Sequence, residues 1–567
     1  MKSLFKYAAL GGLAALAWTC NEEEFLDTPP QGVLSETNLQ NQEGIDAALV
    51  SAYSRTDGWA QDWGTNGWSG MAANNWVFGS VPTDDVHKGS EPSDNANVGE
   101  IELFQWRPAN PEFFARFRSL YDGIRRANET LSLLNAGMDN VDADFAGRIR
   151  GEAVFLRGHY HAEAYKMWVQ VPYFDENTED FRPRNDQDIS PNIIADLTEA
   201  ASLLPVDQGQ VGRATKGAAQ AMLARHLMIT GDMSGARQPL DDVMNSGKYS
   251  LQDCYHDIFT GEGENGSGMI FSSQASANDG DPAGDNANFS MRLANPHGGS
   301  PIGCCGFHQP TQNLVNAYRV DDDGLPALDN SSDANPTADE AVDPRLDWVA
   351  GRDGVPYLNW GVHTPNWIRD RGYSSEYSTK KFIQTPSESS NVGWVANQLS
   401  PINVPLIRYA DVLLMRAEIA VEDNDLERAR ELVNMVRERA GNCAQGPVET
   451  GNVPVSLDDE SITHATYRVG TYDDSWDDQD DAREAVRLER RLELALEGHR
   501  MFDLRRYGQD YMINTMKEYF QVEAERRTFL ASRNEPAPRH MRYPIPTAAI
   551  QRSTVEGANT LTQNPGF

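Results

Sequence analysis

The stretch LIRYADVLLMRAEIAVEDNDLERARELVNMVRERA, Leu406 to Ala440, decides the fold. Apolar residues recur at three- and four-residue steps on both sides of Glu422-Asp423-Asn424-Asp425. That pattern predicts a helix over 406–421 and a second over 426–440, with Asp425 as the N-cap of the second. Ala417, Ala420 and Ala429 fall where two antiparallel helices must approach closely. The pair has the size of a helix-turn-helix repeat of about 34 residues.

The same periodicity appears upstream over 113–134, 148–169, 191–204, 214–230 and 234–245, the last two split by Gly231-Asp232-Met233, and downstream over 481–496. Such pairs cannot bury their apolar faces singly and must stack. The expected fold is therefore mainly α: a scaffold of tetratricopeptide-like helix pairs over about 113–250 and 404–508. Over 56–111 and 250–405 the helical signal stops. Irregular stretches this long are functional more often than idle. Both are rich in tryptophan.

The chain has 567 residues and carries 84 acidic against 49 basic side chains, a formal charge of −35. Its aromatic and aliphatic content excludes global disorder. A surface this negative repels phosphates and no basic patch offsets it, which excludes nucleic acid as a partner. At the start, Lys2 and Lys6 precede an apolar run over 7–18 and then Cys20. This reads as a signal peptide over 1–19, too short to span a bilayer, with Cys20 exposed for lipidation after cleavage and 20–567 as one mature domain. The alternative is a secreted chain cut nearby. Cys254, Cys304, Cys305 and Cys443 remain, an even set in an oxidising compartment. Cys304-Cys305 either forms a vicinal disulfide or stays reduced or paired elsewhere.

Sugar rings are held by aromatic faces on their C–H surfaces and by amides, carboxylates and arginine on their hydroxyls. The candidate ligand-binding residues are Trp59, Trp63, Trp68, Trp76, Trp360, Trp367, Arg369 and Trp394, flanked by Asn74, Asn75, Asn359 and Asn366. For each tryptophan, burial in the core is the competing reading. The block from Glu489 to Arg506 offers paired carboxylates and His499, yet alternating Glu and Arg on an amphipathic helix are ion pairs to its neighbours before they are catalytic groups. His159 and His161 lie two apart on a helix, on different faces. No nucleophile elbow, HExxH or phosphate loop occurs. No cofactor is expected. Asp473 to Glu484 half-fits a calcium loop but has Asp478 where the turn needs glycine, so an acidic cap on the following helix is the competing reading.

Several stretches together resemble the SusD/RagB-like outer-membrane lipoproteins of Bacteroidetes. They are Tyr121-Asp122-Gly123-Ile124-Arg125-Arg126-Ala127-Asn128, Gly151 to Gly158 through Val171-Pro172, Gly212 to Ala219, Arg408 to Leu414, Glu489 to Leu494 with Glu497-Gly498-His499-Arg500, Tyr543-Pro544-Ile545-Pro546, and Gln563-Asn564-Pro565-Gly566-Phe567. The Asn21-Glu22-Glu23-Glu24 run is similar to that group's surface-export signal. The resemblance implies a surface lipoprotein of the outer membrane that binds glycan, lids a SusC-like TonB-dependent transporter and performs no catalysis. Other readings are a member handling peptides, or an adaptor that binds no glycan. The resemblance carries over no binding residue, because members differ most in the loops over 56–111 and 250–405. The acid coat makes a neutral glycan the better expectation than an anionic one.

Overall fold

Helices form where apolar spacing demands them. α1 (Gln42–Tyr53), α2 (Pro111–Ala136), α3 (Ala143–Trp168), α4 (Ser190–Leu203), α5 (Lys216–Thr230) and α6 (Met233–Asn245) precede the long irregular span. After it come α7 (Tyr409–Glu422), α8 (Leu426–Ala440), α9 (Gln479–Leu494), α10 (Arg500–Arg506), α11 (Gln509–Arg526) and α12 (Thr547–Arg552). This is a computed structural model, and it describes residues 36–58, 67–280, 286–327, 332, 334–389, 397–448 and 453–567. Cys20, Trp59, Trp63 and Trp394 lie outside the described residues, as does the side chain of Trp68.

α8 shows the local logic. Leu426, Ala429, Leu432, Val433, Val436 and Ala440 make its buried stripe, and the Asp425 carboxylate accepts from the Arg428 N–H at 3.3 Å. A cap of this kind contributes about 1 kcal/mol. The Asp232 carboxylate caps α6 in the same way, and Gly231 ends α5 in the left-handed region at φ 87°. Between α2 and α3 the approach is so close that a Cβ on Gly123 would stand 2.6 Å from the Tyr160 ring. Consecutive helices from α2 to α6 pack on one another, and α6 then packs on α7 across the whole irregular span. Arg416 pairs with Asp241 at 2.8 Å at that joint. The two sequence blocks thus form one stack, as pairs that cannot bury their faces alone require.

Three expectations change. Residues 404–408 form a strand, so the helix predicted from 406 begins at Tyr409. Pro405 has no N–H for a helix, and Val404 to Arg408 instead run as β4, antiparallel to β2 (Met269–Ser273), with Met269 opposite Arg408 and Ser273 opposite Val404. Helix also continues past 508: α11 buries Met512, Met516, Tyr519, Phe520 and Glu523, a sparse stripe that periodicity reads weakly. Finally, the stretch from Ala72 to Ser90 within the expected 56–111 loop is buried throughout. It carries β1 (Val86–Gly89), which pairs with β3 (Phe307–Pro310).

α9 is the hub. Its Glu489 accepts from Arg345 (2.5 Å) and Arg437 (2.9 Å), and Glu493 accepts from Arg408 (2.5 Å), Arg345 (3.1 Å) and Arg439. Glu497, just beyond the helix, takes Lys381 at 2.5 Å and Arg408 at 2.8 Å. Arg490 reaches Asp411 (2.5 Å) and Asp503 (2.9 Å), while Arg491 reaches Asp85 at 2.7 Å. Neighbouring cations hold Glu493, Glu497 and Asp503 below the usual carboxylate range, and Glu489 is paired with Arg345 and Arg437, which is the expected ion-pair reading. His499 is held neutral by burial, its pKa lowered to about 4. His161 and His159 are likewise built into the core: His161 Nε2 accepts from the Phe174 N–H (3.1 Å), and His159 packs on Phe155 and Phe271.

Because Glu493 is fully buried, Glu493→Ala removes a counter-charge shared by Arg345 and Arg408 and takes from the buried Arg439 its ion pair. Chemical denaturation should show a loss of about 3–5 kcal/mol, against at most about 1 kcal/mol for breaking the exposed Arg428–Glu431 pair. Equal losses would show that the hub contributes no more than a surface bridge.

Candidate ligand-binding face

The irregular span leaves the scaffold through β2 and returns through β4, so its loops hang on an antiparallel two-stranded neck. A disulfide between Cys254 and Cys443, 189 residues apart with Cα atoms at 5.4 Å, closes the span a second time. In the chain-entropy account a closure of that length is worth up to about 5 kcal/mol.

Beyond the neck, three loops meet through side-chain hydrogen bonds. Trp360 donates its indole N–H to the Gln384 carbonyl (2.7 Å), the Gln384 amide donates to the Asn397 carbonyl (2.5 Å), and the Asn397 amide donates to the Pro301 carbonyl (3.2 Å). The His297 N–H donates to the Trp367 carbonyl at 2.8 Å. Behind them the buried Asn295 amide donates to Arg292 and Gln398 carbonyls, and Gln398 donates to Arg292 at 3.2 Å. Loops without regular structure still have to pair their polar groups, and amide side chains do that here. Cys304 and Cys305 are joined to each other at the edge of this cluster, Cys305 buried and Cys304 half-buried. Of the open pairings, the structure has the vicinal one together with Cys254–Cys443.

Among the described residues, the surface left over is polar with one accessible indole. Trp360 is half-buried, Val362, Pro365 and Asn366 are exposed, and His297 and Asn397 are half-buried. Burial, and then nearby Arg369, hold the His297 pKa below its ordinary value, so its ring is a neutral donor and acceptor at neutral pH. An indole, planar amides and a neutral imidazole can pack on C–H surfaces and bond hydroxyls.

Two expected platform residues do not serve. Trp76 is fully buried between Phe307 (6.4 Å, edge-on) and His308 (5.4 Å), and Trp367 is 5% exposed, edge-on to Tyr357 and His363. A large apolar ring gains more from the core than from water, so the competing reading holds for both. Arg369 also departs from expectation. It pairs with Asp94 (2.7 Å) and Glu91 (3.0 Å), bracing the loop that follows β1 rather than waiting for an anion. Sequence reasoning passes over His297 and Asn397 as ligand contacts, since Asn397 meets Pro301 across 96 residues. The only local signal was the glycine-rich loop around His297. Asp478 caps α9 by accepting from the Asp480 and Asp481 N–H groups, so the acidic cap is the arrangement formed there.

Residues 267–567 match the model of the SusD family. The chain belongs to the SusD family. Residues 24–228 match a second model, described as starch-binding associating with outer membrane. A SusD-like protein P25 from Formosa agariphila is 23% identical over 96% of each chain, and a SusD-like protein from Bacteroides ovatus 23% over 75% of this chain and 74% of its own. Among solved structures, a SusD superfamily protein from Bacteroides vulgatus superposes with a TM-score of 0.68 at 20% identity, covering 93% of this chain and 99% of that one. Surface glycan-binding protein A from Bacteroides thetaiotaomicron, in complex with laminarihexaose, does so at 0.65 and 20%, covering 92% and 99%. The mainly helical SusD fold, with helix pairs carrying a loop-rich part, is therefore this chain's fold.

The β1–β3 pair that anchors the face's loops depends on a shared charge. His87 in β1 meets Glu102 through Nδ1 (2.8 Å) and Glu523 through Nε2 (3.1 Å), all three buried. Burial opposes its charge but the two carboxylates prevail, raising the pKa to about 9. Since the folded value is raised, the stability it adds is complete below the unfolded value of about 6.5 and is lost as pH climbs through about 9. The stability gap between the wild type and His87→Gln should shrink over that interval, and a gap constant from pH 6 to 9.5 would rule out a charged His87.

Proposed function

We propose that this SusD-family chain is a surface lipoprotein, anchored through Cys20, that captures oligo- or polysaccharide at the loop face and passes it to a SusC-like TonB-dependent transporter without chemical change. The observation that carries the reading is the ring of three hydrogen-bonded loops around a half-buried Trp360, with amides and a neutral imidazole in the same cluster. Family membership supports it, as do the relatives whose own descriptions name laminarihexaose and laminarin as their ligands. The carboxylates of the α9 block, which could have been a general acid and base, are each saturated by buried arginine or lysine.

At this face the ligand is neutral. The chain's charge is −35, and Arg369, the cation nearest in sequence to the platform, is spent on Glu91 and Asp94. No described helix is long and apolar enough to cross a membrane, which is compatible with a lipid anchor.

Trp360→Ala should weaken binding of a neutral oligosaccharide about tenfold while leaving the melting temperature within a few degrees. Isothermal titration with β-1,3- and α-1,4-glucan oligosaccharides measures this. A wild type that binds no neutral polysaccharide in affinity electrophoresis would remove the glycan reading, whereas undiminished binding by Trp360→Ala would remove only the platform.

A further inference from the structure

A cavity of about 490 Å³ lies between α2, the segment after α3 and the C-terminal α12, and shares no lining residue with the loop face. Its size suits a small ligand rather than a water. The wall is aromatic. Phe117 and Tyr121, one helical turn apart on α2, stack at 4.4 Å with an interplanar angle of 22°, and Tyr121 is fixed by donating its hydroxyl to the Pro172 carbonyl at 2.7 Å. Phe174 meets Tyr121 edge-on at 5.8 Å. Phe181 forms the rim and is 73% exposed, a large ring that folding has left in water.

Two arginines set the chemistry. Arg182 lies over the Phe181 ring at 4.6 Å, and Arg552 over the Phe114 ring at 4.7 Å. Neither makes an ion pair among the described residues; Arg182 donates to the Thr554 carbonyl at 3.1 Å, which leaves its charge uncompensated. In a chain of net charge −35, two unpaired guanidinium groups on one groove are a local reversal of sign. A guanidinium laid on a ring keeps its in-plane N–H groups for a planar anion, the arrangement that binds carboxylate bidentately. Of the other charged residues on the wall, Asp122 and Arg125 pair at 2.8 Å, and Arg118 adds a further guanidinium of the same sign.

We propose that this groove is a second saccharide site and takes a uronate unit, its ring C–H face on the phenylalanines and its carboxylate between Arg182 and Arg552. The inference rests on the glycan reading above but concerns a different surface and an opposite charge preference. Together the two sites fit a heteropolysaccharide with a neutral backbone and acidic units.

Titrating the full chain with tetragalacturonate, a neutral glucan oligosaccharide and tetraglutamate at low and high salt tests this. Tetragalacturonate should bind, lose affinity as salt rises, and bind at least about tenfold more weakly to the Arg182→Gln/Arg552→Gln double variant and to Phe181→Ala. Neutral-glucan binding should be unchanged in the double variant, whose thermal melting serves as the folding control. Absence of uronate binding by the wild type, or equal binding by the double variant, overturns the proposal. Tetraglutamate binding as tightly as tetragalacturonate also overturns it, in favour of a docking site for an acidic protein segment. Loss of neutral-glucan binding with uronate binding intact would instead count against the loop face alone.

Discussion

Glu493 holds the protein together. It sits fully buried on α9, and its carboxylate is shared by Arg345 from the irregular span, Arg408 from the neck strand β4 and Arg439 from α8. Burying one charge is costly, and burying several is tolerable only when each finds an opposite charge and its remaining hydrogen bonds are met. The stack of helix pairs, the neck of the loop excursion and the loops themselves must all be in place for that to happen. The same arrangement explains why a helix so rich in Glu and Arg lies inside rather than at the surface.

From that hub the loop face inherits its position. β4 enters the network through its last residue, Arg408, and runs directly into α7, so the strand that closes the irregular span is pinned where it rejoins the scaffold. On the other side, β3 pairs with β1, whose His87 is fixed by Glu102 and Glu523. Among its described residues the span between carries only short helices and two-residue strands, and it is tied at each end to charged, buried anchors. A scaffold that is rigid by electrostatics and loops that are set by amide hydrogen bonds divide the work, and the loops can vary without disturbing the core.

Much of the helical scaffold was legible. Apolar residues at helical spacing, caps such as Asp425 and Asp232, and the glycine at 231 mark α2 to α8 to within a few residues, because these signals act within a single turn of chain. β4 was not legible as a strand. Its residues carry a helix-compatible pattern, and only pairing with β2, more than a hundred residues earlier, overrides it. For the candidate site the division is sharper. Of the proposed tryptophans, Trp360 is on the face while Trp76 and Trp367 are core, and nothing local distinguishes them, since the same ring chemistry serves both ends. Arg369 looked available until Glu91 and Asp94 came to it from the other side of the chain.

The sequence by itself determined the helices, the acidic surface and the family, because periodicity, charge count and ordered motifs need no third dimension. Only the tertiary structure decided which aromatics meet water, which cations are already paired and which cysteines are joined. Those outcomes depend on contacts between residues tens to hundreds of positions apart, where the free energy of burial and of ion pairing is settled by the whole fold rather than by neighbours in the chain.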